Sequence, residues 1–147
     1  MALFPAKCVV VPIDFSESSP AAIAAALELV SDPAHVHVLH VVVPSTHFSS
    51  QGEWGPLKEG ETRDSASRKE LADYLHHQQI AGVTEVVRSG EPSFEVADYA
   101  KKQNADLVVI PSHRYHGIKR LVLGSVAEHV IGHTECAVLV LRRREAE

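Results

Sequence analysis

The sequence predicts an α/β fold, a three-layer sandwich in which helices cover both faces of a five-stranded parallel sheet, and three observations lead there. Apolar runs of strand length recur at Cys8 to Ile13, Val36 to Val43, Thr84 to Val87, Leu107 to Ile110 and Ala137 to Leu141. The first, second, fourth and fifth are nearly continuous rather than alternating, the pattern of strands buried on both faces. Helical stretches separate the runs, so strand and helix alternate and right-handed crossovers are expected.

Each helix carries its own signals. Ser19 is expected as the N-cap of the first, with Pro20 at its first position and Ile23, Leu27 and Val30 on one face at i, i+4, i+7. The second is expected from about Thr62 to Ala81, with Leu71 and Leu75 inward and Gly82 as its stop. The third follows Gly90-Glu91-Pro92, with Val96 and Ala100 inward. The fourth opens at Ser125, where Ser125-Val126-Ala127-Glu128 has the spacing of a capping box. The one irregular region, Pro44 to Gly60, contains Trp54 and reads either as a lid over a ligand or as a surface excursion.

The chain has 147 residues, 45% hydrophobic and 22% charged, which fits one domain over 1–147 with a substantial core. Its net charge of -5 argues against a nucleic-acid surface, because no excess of Lys and Arg is available to neutralise phosphates. No apolar run approaches the roughly 18 residues that span a membrane. Cys8 and Cys136 begin two apolar runs, where packed thiols are expected and a disulfide stays open as the alternative. The N-terminus has no charged segment followed by a long apolar one, which favours a reducing cytoplasm.

The stretch from Ile110-Pro111-Ser112-His113-Arg114-Tyr115-His116-Gly117 to Gly124-Ser125 leaves a strand, crosses a basic loop containing Lys119 and Arg120, and enters a helix. That context places ligand phosphates against helix N–H groups. Three further pieces accompany it: Val11-Pro12-Ile13-Asp14-Phe15-Ser16-Glu17, Leu39-His40-Val41-Val42 and Gly90-Glu91-Pro92. In this order and spacing the four pieces resemble the universal stress protein family over essentially the whole chain. The pattern of that family's nucleotide-binding branch is G-x2-G-x9-G-[ST]. With Gly124 as the third glycine, Arg114 and Pro111 stand where the other two would be.

The resemblance implies a sheet order of 3-2-1-4-5 with ligand between strands one and four, where the order reverses. This agrees with the rule for open α/β sheets. It implies an adenine-nucleotide site, for ATP or a relative with Mg2+ if phosphates are bound. Pro12, Ile13 and Asp14 would lie at the adenine and ribose end, and the backbone of Val41 would face the base. Ser112, His113, Arg114, Gly124, Ser125 and Val126 would surround the phosphates. Pro111 has neither the conformational freedom of glycine nor an N–H to donate, while Arg114 either binds phosphate or fills the phosphates' space. Asp14 and Ser16 also suit an ordinary cap of the turn after the first strand. The last strand, Cys136 to Leu141, is expected at a sheet edge, and the resemblance implies that it pairs with a second copy in a homodimer.

Other chemistries find less support. His129 and His133 stand four apart and His35 and His37 are expected on one strand face, but neither pair has a third ligand at a suggestive spacing. The third strand ends Val86-Val87-Arg88, without the acidic acceptor of a phosphorylated receiver, and neither an H-x-G-H signature nor a Walker loop is present. No catalytic triad or carboxylate pair stands out, so an enzyme is not assigned. The expected function is a stress-linked sensor or adaptor with a modified ATP site. The alternatives are a homodimeric interaction module of the same fold without nucleotide, and a slow ATPase or autophosphorylating enzyme. A further protein partner is expected but not identified.

Overall fold

The computed structural model describes residues 2–44, 63–111 and 124–142. Strands β1 (Val9–Ile13), β2 (Val36–Val42), β3 (Thr84–Ser89), β4 (Leu107–Pro111) and β5 (Ala137–Leu141) form one parallel sheet in the order β3-β2-β1-β4-β5. Helices α1 (Ser19–Leu27) and α2 (Arg63–His77) lie on one face, α3 (Pro92–Lys102) and α4 (Ser125–His133) on the other. The period of two along each strand explains the continuous apolar runs. Val9, Val11 and Ile13 join Ile23, Ala26, Leu71 and Leu75 in one core, while Val10 joins Val96, Ala100, Ala127 and Val130 in the other.

The expected burial fails at β5. Ala137 and Leu139 are exposed, because an edge strand has a sheet neighbour on one side only. Strand β3, at the opposite edge, is half-buried along most of its length.

Helix ends differ from expectation for local reasons. Ser18, not Ser19, is the N-cap of α1, and Ser19 is the first helical residue. The Asp14 carboxylate draws it in, accepting the Ser16 amide at 3.0 Å and the Ser19 hydroxyl at 3.4 Å. Val30 lies beyond the helix and bridges Ala6 instead. Helix α2 ends at His77 rather than near Ala81, because Gln79 takes the left-handed conformation at φ 59°. The amides of Gln79 and Ile80 then reach back to the carbonyls of His76 and Leu75 at 3.0 and 2.9 Å, a Schellman termination that needs no glycine. Gly82 stands past that stop.

The Gly90-Glu91-Pro92 piece is explained by the start of α3. Gly90 has φ 151°, Glu91 accepts the amides of Ser93 and Phe94 at 3.3 and 2.9 Å, and Pro92 occupies the first turn. At α4 the N-cap is Gly124, so Ser125 sits one position too far along for the expected capping box.

His35 closes a 3₁₀ turn, Pro33–His35, while His37 lies in β2, so the two do not share a strand face as expected. His129 and His133 stack with ring centroids 3.8 Å apart, and His133 Nδ1 donates to the His129 carbonyl at 2.8 Å. Among the described residues no three His, Cys, Asp or Glu side chains group to hold a metal ion. The thiols are free and half-buried. Register shows why: Cys8 and Cys136 precede Val9 and Ala137, which flank Leu107 on the intervening strand. Two strand spacings are about 10 Å, beyond the span of a disulfide.

Candidate functional site

The strand ladder is shortest where the sheet order reverses. Strands β1 and β2 pair over five positions, from Val9↔Val36 to Ile13↔His40. Strands β1 and β4 pair only at Val9↔Leu107 and Val10↔Val108. Beyond Val10 no ladder pair joins the two strands, and Pro12 stands in that stretch with no N–H to extend a ladder. The carboxyl ends of β1 and β4 stand at the switch point of the sheet, the place where open α/β sheets take ligands.

Several expected residues converge on this end of the sheet. Ile13 is buried as the last residue of β1, and Asp14 follows it, exposed. Val41 lies in β2 one residue past the Ile13↔His40 pair, where β1 no longer accompanies it and only β3, through Arg88, does. Pro111 is the buried last residue of β4, paired with Leu141.

Gly124 caps α4 with an ordinary extended backbone, φ -70° and ψ 165°, and no described residue lies within 4 Å of where its Cβ would stand. Its conformation does not call for glycine, and neither does packing among the described residues. Gly124 stands at a helix N-terminus, where the first amides lack intrahelical acceptors and the helix dipole favours an anion. Ser125 and Val126 supply two of those amides, with Val126 also packed on the core of that face. Ser112, His113 and Arg114, together with Lys119, Arg120 and Trp54, lie outside the described residues.

Asp14 serves the turn as expected of an ordinary cap, through Ser16 and Ser19. Two neighbours of Asp14 escaped the sequence reading. Phe15 is left-handed at φ 62°, unusual for a bulky residue, and its ring packs at 4.5 Å on His40 and at 5.0 Å, edge-on, against Tyr74 of α2. His40 is 7% exposed, with Nδ1 3.2 Å from the Ile13 carbonyl. The one available signal was a polar residue inside the apolar run Leu39-His40-Val41. Burial pushes the Tyr74 hydroxyl above its usual range; Ser19 counteracts this and the Asp14 carboxylate adds to it. Burial likewise raises the Cys8 and Cys136 thiols, reinforced at Cys8 by Asp106, which suits packed rather than reactive cysteines.

Fold and site together define an open, doubly wound α/β protein whose strand order reverses between β1 and β4. A profile of the universal stress protein family matches residues 6–142, and the chain belongs to that family. It is 28% identical over 144 residues to Universal stress protein MJ0531 of Methanocaldococcus jannaschii, covering 96% of this chain and 85% of that one. It is 31% identical over 143 residues to Universal stress protein A homolog 1 of Coxiella burnetii, covering 95% and 98%. Among solved structures, a universal stress protein in complex with cAMP superposes with a TM-score of 0.60 at 22% identity, over 94% of this chain and 98% of that one. The Archaeoglobus fulgidus universal stress protein in complex with dAMP gives 0.56 at 21% identity, over 92% and 97%.

Proposed function

We propose that this protein binds an adenine nucleotide in the crevice between β1 and β4 and acts as a cytoplasmic stress-linked sensor or adaptor. The observation that carries the reading is the coincidence of two features at one end of the sheet. The β1–β4 ladder ends there, and among the described residues nothing fills the space beside Gly124 at the N-terminus of α4. Universal stress proteins of the same fold in complex with cAMP and dAMP support the adenine assignment. Asp14, Pro12 and the Ile13 backbone then serve the ribose and base, Val41 offers its backbone to the base, and Gly124, Ser125 and Val126 receive phosphate. Ser112, His113 and Arg114 complete the phosphate end, with Mg2+ accompanying a polyphosphate.

Pro111 favours a second reading. A buried proline at the end of β4 gives a ligand neither an amide nor backbone freedom, so an interaction module without nucleotide competes with the first reading. Release of small molecules from denatured protein, with calorimetric titration of ATP into wild type and Arg114→Ala, separates the two. Bound adenine nucleotide and weakening of about 1–3 kcal/mol in the variant support a phosphate clamp. An empty wild type that gains binding in the variant overturns the retained site. Slow hydrolysis or autophosphorylation would be secondary to binding and would require turnover of ATP with Mg2+.

Self-association through β5 belongs to the same proposal. No described strand pairs with its outer edge, and Leu139 is 38% exposed on a strand of apolar residues. Pairing with the same strand of a second copy would satisfy the edge and cover that surface. No helix among the described residues is long and apolar enough to cross a membrane, which is compatible with the proposed cytoplasmic location.

A further inference from the structure

We infer that His40 is a positioning residue for the nucleotide crevice: its imidazole, held as the Nδ1–H tautomer, fixes the end of β1 from which Asp14 departs. A carbonyl oxygen only accepts, so the 3.2 Å contact with Ile13 requires the hydrogen on Nδ1. Nε2 is buried without a hydrogen-bond partner among the described residues.

The clamp stands where the chain is hardest to hold. Ile13 is the last residue of β1 and lies opposite His40 in the register. Two residues later Phe15 is left-handed, a conformation disfavoured for a bulky side chain, and its ring rests on the His40 ring at 4.5 Å. The histidine thus holds both sides of Asp14, by a hydrogen bond to the residue before it and a ring contact to the residue after it. Asp14 in turn accepts the Ser16 amide at 3.0 Å, which closes the turn into α1. An aliphatic residue of similar size would fill the space under Phe15 but release the Ile13 carbonyl.

This inference rests on the adenine-nucleotide reading for its functional consequence, and its test keeps the two apart. Hydrogen exchange at the Ser16 amide needs no ligand. In His40→Leu that exchange is expected to accelerate about tenfold or more, with β4 amides unchanged, while His40→Asn, which retains a side-chain N–H donor, stays within about threefold of wild type. Calorimetric titration of ATP is expected to follow the same order. In the wild-type protein, long-range nitrogen–proton NMR correlations of the His40 ring are expected to show hydrogen on Nδ1, a readout that stands even if His40→Leu fails to fold. A bare Nδ1, unchanged Ser16 exchange in the leucine variant, or equal losses in both variants would overturn the inference. Wild-type protein that takes up no ATP while the exchange pattern holds would overturn the nucleotide reading and leave the clamp standing.

Discussion

Nδ1 of His37 lies 2.6 Å from the Tyr99 hydroxyl, a hydrogen bond that joins β2 to α3 across 62 positions of the chain. The Arg88 guanidinium sits 5.6 Å from the centroid of the same tyrosine ring and pairs with Glu95 and Asp98, so β3 is tied to α3 at the same point. Burial, and then the neighbouring His35, hold His37 below the ordinary histidine value of 6.5. The folded protein therefore binds this proton less readily than the unfolded chain. Its stability contribution is fully present above about pH 6.5 and is lost as the pH falls towards the depressed folded value. Urea unfolding at about pH 7.5 and about pH 5.5 is expected to show a smaller loss on acidification for His37→Asn than for wild type. Tyr99→Phe is expected to cost about 1 kcal/mol at the higher pH.

Gly124→Ala separates folding from binding. Its backbone is in a region open to any residue and its Cβ would meet no described atom, so stability is expected to change by no more than about 1 kcal/mol, the scale of an N-cap preference. If phosphate approaches the N-terminus of α4, ATP affinity is expected to fall about tenfold or more, as for the loss of a charge-assisted contact. Unchanged affinity in calorimetry would show that the ligand does not approach Gly124.

Asp14 has an observed duty in the turn and a proposed one towards the ligand, which its amide and alanine variants distinguish. Asp14→Asn keeps the acceptor for Ser16 and Ser19, so thermal stability is expected to stay close to wild type. Asp14→Ala loses both contacts and is expected to cost about 1–2 kcal/mol. Weakened ATP binding in both variants would mark the carboxylate as a ligand group; weakening only in alanine would mark it as a cap.

Leu139→Asp places charge on the exposed face of the edge strand. Sedimentation velocity is expected to show a dimer for wild type and a monomer for the variant at the same concentration, with little change in helical circular dichroism. A variant that remains dimeric would move the contact elsewhere.

Leu71→Ala tests the core beneath α2. Leu71 is fully buried among residues of the face that also holds Ile23, Val11 and Val38. Truncation is expected to lower unfolding free energy by about 2–5 kcal/mol in urea melts, the range for a buried leucine that leaves a cavity.

The candidate site and the core were unequally legible. Ile23, Leu71, Leu75, Val96 and Ala100 declared themselves by helical spacing, and each is buried. Helix ends were less legible because the stop signal at α2 is a left-handed glutamine, a residue whose type does not announce that conformation. At the phosphate end, Gly124 and Ser125 were visible as a motif. The space that gives the glycine meaning belongs to the fold.

The sequence by itself determined the order of strands and helices, the two-sided burial of the inner strands and the family, because periodicity and motif spacing are properties of neighbours along the chain. Only the tertiary structure decided the short ladder between β1 and β4, the exposure of Leu139 and the His40 clamp. Each depends on residues far apart in sequence: His40 meets Ile13 across 27 positions, and Tyr74 of α2 reaches Phe15 in the turn after β1. A hydrogen bond to a carbonyl or a ring contact of this kind leaves no period behind, so it exists only once the sheet has brought its strands into register.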